Sequence, residues 1–436
     1  MTIPELYSYF LENYKVSTDT RKIIPQSIFF ALKGANFDGN QFAEQALKSG
    51  AAHAVIDNPK YQKDERFFLV ENVLKTLQDL ARYHRARLNI PIIGVTGTNG
   101  KTTTKELLYA VLKRKFNVYA TKGNLNNHIG VPLSILDITP DIEIAIIEMG
   151  ANHIKEIEFL CEIAQPAYGM ITNVGKAHLE GFGSFEGVKA AKGELYDWLE
   201  KTQGTLILQA DNANLVSMAN TRKFKSVITY GFSDAHDVTG KLVSGSPKLV
   251  MSWSEKNDER AHLVETNLTG AYNMENILGT IATALCFELT PKLINTGLAA
   301  YVPTNKRSQI IKTANNTVIC DYYNANASSM SAALENLKSL DAKKKSIVLG
   351  DMFELGKEAS SEHKKIIEQA IAMELDKRIF VGTEFYRHHS SYIGDAIFYN
   401  TIEEAIDALQ KEPVNQSFIL LKASRGMAFE KLLIYL

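Results

Sequence analysis

The chain has 436 residues, and its 48 Lys and Arg balance 49 Asp and Glu to a formal net charge of −1. That length predicts two or three domains, and the charge balance excludes a protein whose main partner is nucleic acid or an acidic membrane surface. Hydrophobic residues at 45% exclude a disordered chain. The cysteines, Cys161, Cys286 and Cys320, are too scattered for a disulfide framework or a structural zinc site. No run approaches the ~18 apolar residues of a membrane helix, and residues 1–9 lack a basic-then-apolar leader. A cytoplasmic enzyme is expected.

The pattern divides into three blocks. Residues 1–85 alternate short apolar runs (27–32, 54–56, 67–70) with helical stretches (42–49, 73–84), a small α/β unit around a turn-rich polar loop at 33–40. Residues 86–301 open on a buried strand at 90–96, a glycine-rich loop and a helix over 102–114. A second buried strand at 142–147 completes a strand, helix, strand order, which implies a parallel sheet with a right-handed crossover. Further strands are expected at 204–209 and 226–230, an antiparallel patch within 237–267, and a helix over 274–286. Residues 302–436 place strands at 317–320, 346–349, 378–381, 396–399 and 418–421 between helices, a Rossmann-like sheet without GxGxxG. The fold class is α/β in three domains: a small N-terminal unit, a central phosphate-loop domain with a parallel sheet, and a Rossmann-like C-terminal domain.

The chemistry is concentrated in the second block. Gly97-Thr98-Asn99-Gly100-Lys101-Thr102-Thr103 lies between a strand and a helix. Glycines let the backbone curl so that N–H groups face phosphate oxygens, and the helix N-terminus adds its dipole. Lys101 would reach the β- and γ-phosphates and the Thr102 hydroxyl would ligate Mg²⁺. The usual pattern has a glycine where Val95 stands; here Gly94 comes one residue early and Gly97 lies inside the loop. Glu148 ends an apolar strand, the end that faces the ligand crevice of a parallel sheet, so it is positioned to hold Mg²⁺. His178 follows another apolar run and reads either as a hydrogen-bonded residue or as a metal ligand. By spacing alone Lys192 is a solvated helix lysine and Arg307 a solvated arginine before a strand. The adjacent His388 and His389 diverge and read as surface residues.

Four stretches together resemble the Mur ligases of bacterial cell-wall synthesis: Gly97-Thr98-Asn99-Gly100-Lys101-Thr102, Gly123-Asn124-Leu125-Asn126-Asn127-His128-Ile129-Gly130, Glu148-Met149-Gly150-Ala151-Asn152 and Asn173-Val174-Gly175-Lys176-Ala177-His178-Leu179-Glu180. Three more are similar to the branch that joins D-alanyl-D-alanine to UDP-N-acetylmuramoyl-tripeptide: Asp321-Tyr322-Tyr323-Asn324-Ala325-Asn326, Leu349-Gly350-Asp351-Met352-Phe353-Glu354-Leu355-Gly356 and Lys422-Ala423-Ser424-Arg425-Gly426-Met427. Thr18-Asp19-Thr20-Arg21 and Phe37-Asp38-Gly39 fit that branch's UDP-binding first domain.

The resemblance implies an ATP-dependent amide ligase that works through an acyl phosphate. It implies ATP contacts at Gly97, Thr98, Asn99, Gly100, Lys101, Thr102, Thr103, Asn273, Arg307 and Asp321. Two Mg²⁺ sites would draw on Thr102, Glu148, His178 and Lys192, the last as a CO₂-derived carbamate. Lys101, Glu148, His178 and Lys192 would form the catalytic group. Thr20, Arg21, Phe37, Asp38, Gly39, Asn126 and Asn127 would bind the UDP substrate. Asn324 and Asn326 would bind the dipeptide, unless they simply cap turns. The partners implied are small molecules alone, with no nucleic acid and no membrane insertion, and the chain is expected to act as a monomer. The family often has His at Tyr272, Pro at Ala327 and Gly at Ala423, departures that bear on local loop geometry. A sister branch that adds diaminopimelate usually carries Asp-Asn-Pro-Arg in its third domain, and no such run occurs there. A folate ligase would lack the first domain, and a non-catalytic scaffold would not need Lys101, Glu148, His178 and Lys192 intact.

Overall fold

The computed structural model describes residues 1–176, 179–245, 247–258 and 260–436. Among them no helix is long and apolar enough to cross a membrane. Three main sheets carry the architecture. The first has four parallel strands in the order Val16–Ser17, Ile28–Phe30, His53–Ile56, Phe67–Leu69. A hairpin of Lys33–Gly34 with Phe37–Asp38 projects beside it.

The central sheet has nine strands. Ile92–Thr96, buried along its whole length, lies between Tyr168–Ile171 and Ile144–Glu148, and Val118–Ala120 closes that edge. On the other side follow Thr205–Gln209, Ser226–Gly231 and Val238–Ser244, all parallel to their neighbours. Val250–Glu255 and His262–Glu265 then extend the sheet in antiparallel fashion. The expected antiparallel patch is therefore present, and it continues the main sheet.

The register sets up everything that follows. Val95 pairs with Glu148, and Thr96 with Ile171. Three adjacent strands thus end at one edge, and their loops open together into the crevice that parallel sheets reserve for ligands.

The third sheet runs Gln309–Lys312, Thr317–Asp321, Phe418–Lys422, Lys345–Gly350, Lys377–Val381, Ile397–Tyr399. Its first pair is antiparallel and the rest are parallel. The antiparallel edge strand carries no clear alternation in the sequence, because Gln309–Lys312 is only half-buried and is held by one neighbour. Helix Pro291–Ala300 was not expected either, although Thr290 caps it and Pro291 opens it, which is an ordinary helix-start signal.

The first two sheets are welded by side chains. Helix Val73–Arg85 packs on helices Gly130–Leu136 and Glu156–Ala164, and one apolar core runs from Leu6, Leu77 and Leu80 to Ile135 and Leu160. Polar contacts close the seam. His84, almost fully buried, meets the Tyr7 hydroxyl at 3.1 Å and the Ile138 carbonyl at 2.9 Å. Arg85 donates to the carbonyls of Ala164 and Gln165 at 2.8 and 3.1 Å. The third sheet keeps its own cores, one on each face. Leu77→Ala should therefore cost about 2–5 kcal/mol. In hydrogen exchange the loss of protection should spread over both of the first two sheets and spare residues 317–436.

Candidate active site

The phosphate loop is shaped by two glycines. Gly97 has φ +141° and Gly100 φ +82°. A Cβ at Gly97 would stand 2.1 Å from Thr172 Oγ1, and one at Gly100 2.4 Å from Asn276 Oδ1. Gly100 caps helix Lys101–Leu112, whose first N–H groups face the crevice. The neighbouring strand's loop fixes the rest. Thr98 N–H donates to the Asn173 carbonyl, and Asn99 N–H to Asn173 Oδ1, each at 2.9 Å.

Lys101 turns back over the loop, its Nζ donating to the carbonyls of Gly97 at 2.6 Å and Thr98 at 3.0 Å. Burial pushes its ammonium down to about 8, with Glu148 opposing the shift and Arg307 adding to it. Thr102 donates its hydroxyl to Glu148 Oε2 at 2.9 Å, and Asn126 Nδ2 donates to Glu148 Oε1 at 2.8 Å. Glu148 is 2% exposed, so a buried carboxylate and a hydroxyl present hard oxygen donors beside the phosphate loop. That donor chemistry fits Mg²⁺. Among the described residues no three His, Cys, Asp or Glu side chains cluster as a metal cage. His178 lies outside the described residues.

Lys192 corrects the expectation from spacing. It is 3% exposed, not solvated. Its helix, Phe185–Thr202, buries Val188, Ala191, Leu195 and Leu199, and Lys192 falls on that stripe. The Nζ meets the Ala151 carbonyl at 3.4 Å and stands 5.3 Å above the Phe182 ring. Burial, and then the charge of Lys101, bring its ammonium down to about 7, against Glu156 and Glu194.

The third sheet supplies the opposite wall. Arg307 is likewise not free in solvent. Its guanidinium lies 4.0 Å from the Tyr323 ring centroid, and its Nε is buried without a hydrogen-bond partner. Asp321 accepts from Lys422 Nζ at 2.6 Å and from Ser308 N–H at 3.3 Å. Ser308 in turn bonds the Tyr272 hydroxyl at 2.6 Å. Asn273 donates to the Thr269 carbonyl at 2.8 Å and accepts from Asn276 at 3.0 Å; Thr104 donates to Asn276 at 3.2 Å, tying that helix to the phosphate-loop helix. Asn324 is exposed on the wall, its carbonyl accepting from Lys422 at 3.3 Å. Asn326 is an N-cap, accepting from Ser329 N–H at 2.9 Å while its Nδ2 reaches Asn99.

One cavity of about 930 Å³ gathers these residues. Gly97 to Lys101, Thr103, Asn126, Asn127, Glu148, Lys192, Asn273, Arg307, Asp321, Asn324 and Asn326 all line it, and Thr102 reaches it through Glu148. Asn127 Oδ1 also accepts from the N–H groups of Ile129 and Gly130 at 3.1 and 2.9 Å, in the turn that leads into helix Gly130–Leu136. The candidate UDP contacts of the first sheet stand apart from the cavity. Thr20 lies in a short turn capped by Asp19, and Arg21 forks onto Asp19 at 2.7–3.2 Å. Phe37 is exposed on the hairpin, Asp38 accepts from Asn40, and Gly39 is buried against the Leu32 carbonyl. His388 bonds Ser360 at the surface, as expected.

Sequence reasoning missed Asn276 and Ser328, and it quoted Lys422 and Asn173 only as part of the resembling stretches, with no role for either. For Lys422 the sequence signal was a lysine closing the apolar run 418–421; the register that sets it opposite Asp321 appears only in the fold.

Comparison with known proteins follows the same three-part division. Three family models match in order: the catalytic domain of the Mur ligase family at residues 13–92, the Mur ligase middle domain at 95–284, and the glutamate ligase domain of Mur ligases at 306–425. The UDP-N-acetylmuramoyl-tripeptide–D-alanyl-D-alanine ligase of Bacillus subtilis (strain 168) is 35% identical over 431 residues, covering 96% of this chain and 92% of that one. Crystal structure I of MurF from Acinetobacter baumannii superposes with a TM-score of 0.84 at 29% identity, over 96% of this chain and 92% of that one. The MurF ligase of Thermotoga maritima in complex with ADP gives a TM-score of 0.83 at 27% identity, over 97% and 96%. With the loop, the buried carboxylate and the facing wall in one cleft, and matches along nearly its whole length, the chain belongs to the Mur ligase family.

Proposed function

We propose that this chain is an ATP-dependent ligase that joins D-alanyl-D-alanine to UDP-N-acetylmuramoyl-tripeptide, giving the UDP-pentapeptide precursor of peptidoglycan. The observation that carries this reading is the single cavity walled on one side by a phosphate loop and on the other by Arg307, Asp321 and Asn324. It holds cations and amide groups where a nucleotide, a carboxylate and an amine must meet.

The chemistry places demands that these residues answer. The tripeptide carboxylate attacks the γ-phosphorus of ATP, the bond to the bridging oxygen breaks, and ADP leaves. The dipeptide amine then attacks the acyl carbonyl, loses its proton, and expels phosphate from the tetrahedral intermediate. Two anions must approach, so positive charge has to be in place beforehand. Lys101 leaves its loop carbonyls for the phosphate oxygens. Arg307 reaches the phosphates from the other wall, which makes the site complete only when the third domain is closed. Asp321 takes the ribose and Asn273 the adenine. Thr102, beside Glu148, would hold one Mg²⁺, and Glu148 and His178, with a carbamylated Lys192, a second; the ions would supply charge neutralisation at the phosphate and carboxylate oxygens. Asn126 keeps the Glu148 carboxylate aimed at that position. Asn324 faces the incoming dipeptide.

The first domain, residues 1–85, holds the UDP end through Thr20, Arg21, Phe37, Asp38 and Gly39, with Asn127 nearer the cleft. Residues 86–301 bind ATP and 302–436 receive the dipeptide. We propose that the chain acts in the cytoplasm as a monomer.

Phosphate release from ATP and Mg²⁺ with UDP-N-acetylmuramoyl-tripeptide tests the assignment. Release should depend on D-alanyl-D-alanine and yield a UDP-pentapeptide by mass. Turnover with single D-alanine, diaminopimelate or glutamate instead would keep the mechanism and overturn the substrate.

Lys192 gives a second test. CO₂ adds only to the neutral amine, forming an N–C bond and releasing one proton. An amine titrating near 7 becomes neutral as pH rises through that value. Carbamate occupancy at limiting CO₂ should therefore climb between about pH 6 and 8. A carbonyl signal from ¹³CO₂ should appear in the native enzyme and vanish in Lys192→Gln, whose activity should fall about 100-fold. Full activity in CO₂-free buffer with no such signal would remove the carbamate.

A further inference from the structure

The helix Ala327–Ser339 of the third domain meets the phosphate loop through a closed ring of hydrogen bonds. Asn99 Nδ2 donates to Ser328 Oγ at 2.9 Å. The Ser328 hydroxyl donates to Asn326 Oδ1 at 2.9 Å. Asn326 Nδ2 then donates back to Asn99 Oδ1 at 2.8 Å. Each donor finds an acceptor in the same sense round the ring, and turning either amide over would set like against like.

Asn99 does not need its side chain to hold the loop. Its N–H is taken by Asn173 Oδ1 at 2.9 Å, and its carbonyl accepts from Thr172 Oγ1 at 2.5 Å and Asn173 Nδ2 at 3.1 Å. The carboxamide is thus left to cross the domain boundary. On the far side Asn326 spends its Oδ1 on the helix cap as well as on Ser328. Both polar atoms of Asn326 are therefore engaged within the protein.

A glycine guards the ring. A Cβ at Gly175 would lie 2.9 Å from Ser328 Oγ, closer than contact allows. Gly175 is not among the residues with positive φ, so its backbone would accept a side chain. What the position lacks is room, and the room is filled by the Ser328 hydroxyl. The same helix is tied again further along, where Asn336 donates to Thr269 Oγ1 at 3.4 Å.

We infer that Asn99, Ser328 and Asn326 form a positioning clasp, through which the loop that holds the nucleotide seats the helix that presents the dipeptide site. On this view Asn326 acts on the dipeptide through Asn99, by fixing the Asn324 loop and the first helical turn, and does not itself bind the substrate. This inference rests on the ligase reading above.

The test uses the full chain and four variants: Asn99→Ala, Ser328→Ala, Asn326→Ser and Gly175→Ala. Serine keeps a helix cap at 326 but is too short to reach Asn99. Alanine at 175 removes no hydrogen-bonding group and displaces only the Ser328 hydroxyl. Each variant should raise KM for D-alanyl-D-alanine roughly tenfold, about the worth of one or two lost hydrogen bonds. Dissociation of a non-hydrolysable ATP analogue, measured without the other substrates, should change less than about twofold in Ser328→Ala, Asn326→Ser and Gly175→Ala, none of which alters the phosphate loop itself. The double variant Asn99→Ala/Ser328→Ala should be no worse than the poorer single one, because either change opens the ring.

Additive effects would overturn the clasp. So would a rise in KM confined to Asn326→Ser, which would make that residue a direct ligand, or a loss that falls on the nucleotide alone. If the native enzyme does not use the dipeptide at all, the ligase reading fails. The clasp is then judged by small-angle scattering with the ATP analogue, where Asn99→Ala should be more expanded than the native chain and an unchanged radius would refute it.

Discussion

Everything in the cleft depends on how Ile92–Thr96 is paired. A strand buried on both faces and flanked by parallel neighbours sends its following loop in the same direction as theirs. The phosphate loop therefore emerges beside Glu148 on one side and Thr172–Asn173 on the other. The first neighbour supplies a carboxylate to the Thr102 hydroxyl. The second supplies an asparagine that pins the loop backbone at two residues. A slip of one residue in either pairing would turn Glu148 or Thr172 to the opposite face of the sheet. The site is thus a consequence of register before it is a consequence of any catalytic side chain.

Burial then sets the charges. Lys101 and Lys192 both sit where water is scarce, and each carries an ammonium that is easier to deprotonate than usual. Lys192 is lowered partly by Lys101 itself, so the two cations oppose each other across the cavity. Such a pairing favours an anion between the two and a Lys192 that has given up its proton. Lys422 is the contrasting case, a buried ammonium matched to Asp321 at 2.6 Å. Its charge is already answered, which leaves the cleft's attraction for anions to Lys101, Lys192 and Arg307.

How legible this was varied with the range of the interaction. The strand before the phosphate loop, the loop itself and Glu148 at a strand end are local patterns, and they could be placed by reading along the chain. The antiparallel extension over 237–267 showed in its alternation, with Met251 and Trp253 facing inward. Lys192 looked like a solvated lysine because helix Phe185–Thr202 has a polar outer face. Its place on the stripe of Val188, Leu195 and Leu199 gave it away only once that stripe was traced. The contacts of Ser328 and Asn173 were invisible for another reason. Their partners lie 229 and 74 residues away, and no local pattern reports which loops a fold will bring together. The edge strand Gln309–Lys312 falls in the same class, since its neighbour alone defines it.

The core shared by the first two sheets has a consequence for measurement of length. Leu6, Leu77 and Leu80 belong to the same packed cluster as Ile135 and Leu160, and His84 and Arg85 lock the seam with hydrogen bonds. The surface around Phe37 and Arg21 is consequently held at a fixed span from the phosphate loop. If that surface holds the nucleotide end, as proposed above, a substrate reacting at its other end must bridge the span with its own peptide. Each residue of extended chain adds at most about 3.3–3.6 Å. A peptide one residue too short would leave its carboxylate out of reach of the γ-phosphate, and one too long would have to buckle. On that reading the seam between the two sheets works as a gauge, and the third domain, whose cores are its own, plays no part in setting it.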